Sequence, residues 1–323
     1  MKIFKLKLLS QFLILFLSAF AFSYAAEKEK LVIFSAAAFA SPMRDLKNAF
    51  QKLNPQVEVI FEFSGSRTAC YKLTQLKKKA DILLLADYQV IEALLMPDYA
   101  DWYINFARDQ MVICFTERAK YGNEINADNW YKILSRKDVR LGRVGQNFGP
   151  LGYRTLMSWQ LADLYYKDRI KGRSIYEALN DNCLPQYIMH DELGLLSLLQ
   201  DFTLDYTFDY ISVAKQHNLK YITLPKEIDL SDFDLKSYYA QAKVTVSGKE
   251  KDNPSIVYGS PITYAFTIPS DAPNPVLAMK FLEFLLGENG KKIIEDNYQE
   301  VITPAIASDI SKAPVGLREF CRK

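Results

Sequence analysis

Histidine is almost missing: His190 and His217 are the only two in 323 residues. That excludes most histidine-built metal centres and nearly every relay in which an imidazole carries a proton. Four cysteines are too few for a disulfide-dense scaffold, and 13 glycines with 13 prolines exclude collagen-like and low-complexity chains. Charge of one sign is not in surplus either. Forty Lys and Arg stand against 38 Asp and Glu, so no broad positive field marks a nucleic-acid partner. The chain also lacks a Gly-x-Ser-x-Gly elbow, a His-Glu-x-x-His helix, paired Cys-x-x-Cys motifs and a Gly-Lys-Ser/Thr phosphate loop. Most enzyme templates fall away with them.

What is present begins with an address. Lys2, Lys5 and Lys7 precede an apolar run over residues 8–22, and Ser23-Tyr24-Ala25 supplies small residues at both cleavage-recognition positions. This three-part form predicts a secretory signal peptide over residues 1–25. The competing reading is an uncleaved anchor, although the run is short of the roughly 20 residues that span a bilayer. Removing the three lysines would take the net charge from +2 to −1, so an anion would have to be held by local groups. No second apolar stretch reaches membrane length, and the mature chain is expected to be soluble and exported, in the periplasm. In that oxidising compartment Cys183 and Cys321 are the pair expected to bridge, if any does, and Cys114 is expected to be a buried thiol.

Apolar runs alternate with helical periodicity. Residues 31–34, 57–63 and 82–85 read as strands, with helices over 42–53 and 68–79 between them, the signature of a parallel α/β sheet. A second unit has strands over 139–144 and 206–210 and helices over 153–166 and 193–200. Residues 226–255 are polar and read as an irregular excursion; 262–268 read as a strand, and 275–297 as one long helix. The predicted fold class is α/β, with two lobes joined by two crossings and a ligand cleft between them. Lobe 1 takes residues 26–108 and 263–323, and lobe 2 takes 109–262. Such a cleft suits a binding protein or an enzyme.

Four segments sit where ligands gather, at strand ends that lead into helices. The first is Ser35 to Pro42, whose small residues let backbone amides approach a guest; the alternative is a tight strand-to-helix turn with Ser41 as its N-cap. The second is Ser64-Gly65-Ser66-Arg67: Ser66 would offer hydroxyl and amide, and Arg67 a charge. The third runs from Gly145 to Arg154 and includes Gly149, Leu151 and Gly152, a shaped turn before a helix. The fourth is Asp209-Tyr210-Ile211-Ser212, where Tyr210 would point its hydroxyl into the cleft or pack in the core. His190, Asp191 and Glu192 together would suit a metal, against the alternative of a solvated helix start.

Ala86-Asp87-Tyr88, Pro97 to Tyr103, Asp128-Asn129-Trp130-Tyr131, Gly152-Tyr153-Arg154 and Ser212-Val213-Ala214 resemble, taken together, the periplasmic molybdate/tungstate-binding proteins of ABC importers. The branch first described in archaea is the nearest likeness, over essentially the whole mature chain. The resemblance implies a type II periplasmic-binding-protein fold, two lobes closing on a tetrahedral oxyanion, and no cofactor besides that ligand. It implies the backbone at Ala38, Ser66, the Leu151 amide, the helix start at Glu192 and the hydroxyl of Tyr210 as the ligand-binding set. Two departures accompany it. Ala38 stands where the family commonly has serine, and Gly149 where the archaeal branch has one of two metal-contacting carboxylates. Glu192 would supply the other, making it the residue through which molybdenum or tungsten is contacted, with Asp209 the second candidate and Arg67 a compensating charge.

The resulting expectation is a monomeric solute-binding protein that hands molybdate or tungstate to an ABC transporter permease and ATPase complex. The runner-up is the same pocket for another oxyanion or a small organic acid. An exported enzyme using Glu192 and Asp209 as acid and base is the alternative from a different class.

Overall fold

The computed structural model describes residues 27–170, 172–249 and 253–322. The expected leader, residues 1–25, lies outside them. The chain opens with β1 (Glu29–Ala36), β2 (Val57–Ser64), β3 (Ile82–Leu85) and β4 (Ile104–Arg108). It then leaves through Asp109-Gln110 and builds β5 (Met111–Phe115), β6 (Leu141–Val144), β7 (Ile188–Met189), β8 (Tyr206–Tyr210) and β9 (Lys220–Thr223). A hairpin of β10 (Lys243–Val246) and β11 (Ser255–Tyr258) precedes the return to β12 (Thr263–Thr267), β13 (Glu300–Ala307) and β14 (Cys321–Arg322).

Two sheets result. The larger has the order β14-β13-β4-β12-β3-β1-β2, and the smaller β7-β6-β8-β5-β9. β1 pairs in parallel with β2 and β3, while β12 runs antiparallel to β3 and β4. The fully apolar β3, Ile-Leu-Leu-Leu, is buried at every position, as a strand covered on both faces requires. Register decides where the strand ends lie. Ala36 stands opposite Ser64, and Ser35 opposite Leu84, so β1, β2 and β3 end level and their outgoing loops lie side by side.

Aromatic packing anchors both lobes. Phe50 meets Phe281 at a ring-centroid distance of 5.1 Å, joining helices Ala40–Leu53 and Pro275–Leu286. In the smaller lobe Phe208 contacts Trp130 at 5.6 Å and Trp159 at 5.9 Å. At the first crossing Asp109 accepts hydrogen bonds from the Tyr264 hydroxyl (3.2 Å), the Gln110 amide (2.9 Å) and the Ser212 hydroxyl. This knot ties the crossing to both lobes, through Tyr264 of one and Ser212 of the other.

Several expectations from sequence are corrected. Residues 275–297 form two helices, Pro275–Leu286 and Glu288–Asp296, because Gly287 is extended (φ −75°, ψ 173°) and breaks the helical path. Within the polar stretch 226–255, residues 226–246 are not irregular: they fold into short helical turns and the first strand of the hairpin, seated by buried Ile228, Tyr239, Val244 and Val246. The helix expected over 68–79 is Ser66–Thr74. Ser41 is no N-cap: it lies inside helix Ala40–Leu53, and its hydroxyl donates to Asn297 (2.8 Å). Cys183 and Cys321 are both free, one ending a helix of the smaller lobe and the other on the edge strand of the larger sheet. Cys114 is a buried thiol in β5, and burial pushes it well above its ordinary pKa. Among the described residues, no helix is long and apolar enough to cross a membrane.

Candidate functional site

The level ends of β1, β2 and β3 face the ends of β6 and β8 across a seam, and a small cavity lies in the seam. Its lining includes Ala36, Ala37, Ala38, Gly65, Ser66 and Ala86 from the larger lobe. From the smaller lobe come Val144, Gly149, Leu151, Asp191, Glu192 and Tyr210. At about 20 Å³, it exceeds the roughly 10–15 Å³ that one water needs and is far below a drug-sized pocket of about 300–1,000 Å³. Larger concavities of about 400 and 540 Å³ open elsewhere, one beside the crossings and the other lined by residues of both lobes, among them Tyr88, Asn105, Phe233 and Lys236.

Each lining segment brings hydrogen-bond donors for a local reason. Ala37–Phe39 form a tight helical turn leading into helix Ala40–Leu53. Ser66 opens helix Ser66–Thr74, Leu151 is the second residue of helix Pro150–Tyr165, and Glu192 opens helix Glu192–Gln200. First-turn N–H groups have no acceptor in their own helix, and here four such starts converge on one cavity with their positive dipole ends inward. Gly152 explains how the third start reaches it. A Cβ there would collide with the carbonyls of Val144 and Gly145, so glycine lets the helix begin hard against the end of β6.

The two hydroxyls are set by their partners. The Ala86 amide donates to Ser66 Oγ (3.0 Å), and Arg154 Nη1 donates to Tyr210 Oη (2.9 Å). A hydroxyl that already accepts from a protein donor turns its own proton elsewhere. Both residues line the cavity. Burial holds the Tyr210 phenol above its ordinary pKa, although Arg154 pulls the other way, and it stays a donor.

Acidic groups here do not repel an anion as their number suggests. Asp191 caps its own helix by accepting from the Gly194 amide (2.9 Å). Glu192 is pushed well above its ordinary pKa by burial first and then by Asp209, Asp109 and Asp191, which favours its neutral, donating form. The cavity therefore offers amides, hydroxyls and a carboxyl biased to carry a proton. Its chemistry suits a small guest with several acceptor oxygens. Among the described residues, no three His, Cys, Asp or Glu side chains converge as a metal site.

Of the residues singled out in the sequence, Ala38, Ser66, Gly149, Leu151, Glu192 and Tyr210 meet at this cavity. Arg67 and Asp209 do not line it. The Arg67 guanidinium donates to Tyr71 Oη (3.0 Å) and to the Ser247 carbonyl of the other lobe, so its charge serves the contact between lobes. Asp209 sits in β8 with its side chain on the Tyr210 amide (2.7 Å) and Oδ2 unpartnered. His190 packs its ring on Phe148 at 4.4 Å rather than joining Glu192 on a ligand.

Sequence reasoning named Asp87, Tyr153 and Arg154 only as members of motifs and gave them no role beside the cavity. Arg154 Nη1 donates to the Ala86 carbonyl (2.6 Å), its Nη2 lies 3.2 Å from the Asp87 carboxylate, and Tyr153 Oη donates to Asp87 (2.6 Å). Their signal was a lone arginine amid the apolar residues of helix Pro150–Tyr165, where a charge without a partner would be costly. These bonds join the two lobes. So do Thr68 N to the Phe148 carbonyl (3.3 Å) and Gln89 Nε2 to Ser260 Oγ (2.8 Å).

Comparison with known proteins agrees with this geometry. The chain is 42% identical over 293 residues to an uncharacterized solute-binding protein of Petrotoga mobilis, covering 91% of this chain and 90% of that one. It is 41% identical over 305 residues to the molybdate/tungstate-binding protein WtpA of Pyrococcus abyssi, covering 86% of each. The periplasmic molybdate-binding protein of Azotobacter vinelandii shares the fold, with a TM-score of 0.57 at 15% identity over 83% of this chain and 98% of that one. That fold is the two-lobed, type II periplasmic-binding-protein fold. Residues 31–298 match the family of bacterial extracellular solute-binding proteins. Matched over most of its length and built around a donor-lined seam, the chain belongs to the bacterial extracellular solute-binding protein family.

Proposed function

We propose that this protein captures molybdate or tungstate between its lobes in the periplasm and delivers it to an ABC transporter permease and ATPase complex. It acts as a soluble monomer after loss of the leader, holds no cofactor of its own, and breaks no bond in its guest. The observation that carries the reading is the pair Ser66 and Tyr210. Both hydroxyls receive a protein donor, and both residues line a cavity ringed by helix starts. Donors held in a dry site bind a dianion strongly, because each hydrogen bond is charge-assisted and little water competes. The relatives from Pyrococcus abyssi and Azotobacter vinelandii, named for these anions, support the choice of ligand.

Isothermal titration with molybdate, tungstate, sulfate and phosphate tests it. Binding of molybdate or tungstate at least tenfold tighter than of sulfate or phosphate is the expected result. No heat with either metal oxyanion overturns the reading.

A second reading keeps the pocket and changes the guest to a smaller oxyanion such as sulfate. The small cavity favours it, as does Gly149, which brings no second carboxylate to a metal centre. In that case the same titration ranks sulfate first.

A further inference from the structure

Arg154 belongs to the smaller lobe and is 1% exposed. Its guanidinium makes three contacts of different kinds: Tyr210 Oη of its own lobe (2.9 Å), the Ala86 carbonyl of the other lobe (2.6 Å) and the Asp87 carboxylate of the other lobe (3.2 Å). Ala86 and Tyr210 both line the cavity, whereas Asp87 and its second partner Tyr153 do not. The ion pair is therefore oriented, with the cation against the cavity wall and the anion behind it. Neutralisation is incomplete in geometry too, since Nη2 has the carboxylate nearby but no well-directed hydrogen bond. Among the described residues, no other Lys or Arg hydrogen-bonds to a polar side-chain atom of the lining.

We propose that Arg154 is a positioning residue that makes the cavity favour doubly over singly charged tetrahedral oxyanions, acting through the Tyr210 hydroxyl and only while the lobes are shut. This rests on the reading that the cavity takes such an anion. Three physical steps support it. A guanidinium donating to Tyr210 polarises that hydroxyl and aims its proton at the guest, and chained hydrogen bonds strengthen one another. The oriented pair sets its cation on the Tyr210 side, so the polarised hydroxyl carries that positive potential to the guest, and the attraction scales with the guest's charge. Finally, Ala86 and Asp87 are on the opposite lobe, so the guanidinium takes up this position only when the seam closes. Differential affinity for the closed state is what allows a ligand to shift the equilibrium toward it.

The test titrates the full-length chain with tungstate and with perrhenate, a tetrahedral oxyanion of similar size and single charge. Arg154→Met is expected to weaken tungstate by roughly 10- to 100-fold and perrhenate by less than about threefold. Arg154→Lys restores part of the difference. Truncation leaves Asp87 buried without its cation, so the double variant Asp87→Asn/Arg154→Met, checked for folding by circular dichroism, removes both charges together. It too is expected to lose the preference for tungstate.

Equal losses for the two anions in these variants would mean that Arg154 serves packing alone, and the proposal falls. The route is tested separately. In a Tyr210→Phe background, adding Arg154→Met is expected to cost less than about threefold further in tungstate affinity, and fully additive losses overturn it. A wild-type protein that binds neither anion refutes the ligand reading itself, which is a different result from binding without discrimination.

Discussion

Gly65 of the larger lobe and Gly149 of the smaller meet backbone to backbone across the seam. A Cβ on Gly149 would lie 3.1 Å from Gly65 Cα and 3.3 Å from the Ser66 nitrogen, and one on Gly65 would overlap the Phe148 carbonyl. Side chains are excluded here by closure, since neither glycine holds a positive φ. Gly65→Ala is therefore expected to prop the seam open. Ligand affinity should fall at least roughly tenfold, as expected for a misplaced set of charge-assisted donors, while thermal stability without ligand changes little. Calorimetry reads the first. Small-angle scattering reads the second half of the argument: saturating ligand should shrink the wild-type radius of gyration and leave the variant expanded.

Removing the two hydroxyls separates binding from folding. Tyr210→Phe takes away a donor and leaves Arg154 with Ala86 and Asp87, so tungstate affinity should drop by roughly 10- to 100-fold. Unfolding free energy should move by less, about 1 kcal/mol. Ser66→Ala should lower both, because the buried Ala86 amide loses its acceptor. Titration and urea unfolding of the same preparations distinguish them; unchanged tungstate affinity in Tyr210→Phe would remove this residue from the site.

Asp109 makes stability depend on pH. Burial pushes its carboxyl up to about 6, even though Ser212, Gln110 and Tyr264 donate to it. In an unfolded chain the same group titrates near about 3.9. Between those values the folded protein holds the proton more tightly, so the stability due to protonated Asp109 is complete below about pH 4 and lost as pH rises through about 6. On the order of 3 kcal/mol is involved. Asp109→Asn cannot lose it, so its deficit relative to wild type should be largest at pH 4 and shrink by pH 7. A deficit that grows with pH would contradict the assignment.

Packing predicts a contrast within one helix. Phe281 is fully buried against Phe50, while Val276, in the first turn of the same helix, is 83% exposed. Phe281→Ala should cost about 3–5 kcal/mol through lost burial and a cavity. Val276→Ala should stay within roughly 0.5 kcal/mol. Urea denaturation of both variants provides the comparison.

How much was legible in the sequence depends on how local each feature is. The strand over 82–85 was plain because a run of apolar residues has nowhere to go but a core, and 206–210 because its aromatic residues alternate with polar ones. The loop at Ser66 and the helix start at Leu151 were plain because small residues and glycines sit where strands end. The break at Gly287 was missed because apolar periodicity on either side hides one extended residue. The hairpin at Val244 and Val257 was missed because charged neighbours mask its alternation. Arg67 is the instructive case: its position beside Ser66 suggested a charge for the ligand, yet its reach carries the guanidinium to Ser247.

The sequence by itself determined the compositional exclusions, the alternating elements and the donor-rich loops, all of which depend on neighbours within a few residues. Only the tertiary structure decided which donors face a guest. Whether Ser66 and Tyr210 point their protons inward depends on who occupies their lone pairs. Those partners, Ala86 and Arg154, come from other elements and reach them through strand register and lobe contact. Hydrogen bonds are directional and short, so a function built from them is settled by geometry that no stretch of chain holds alone.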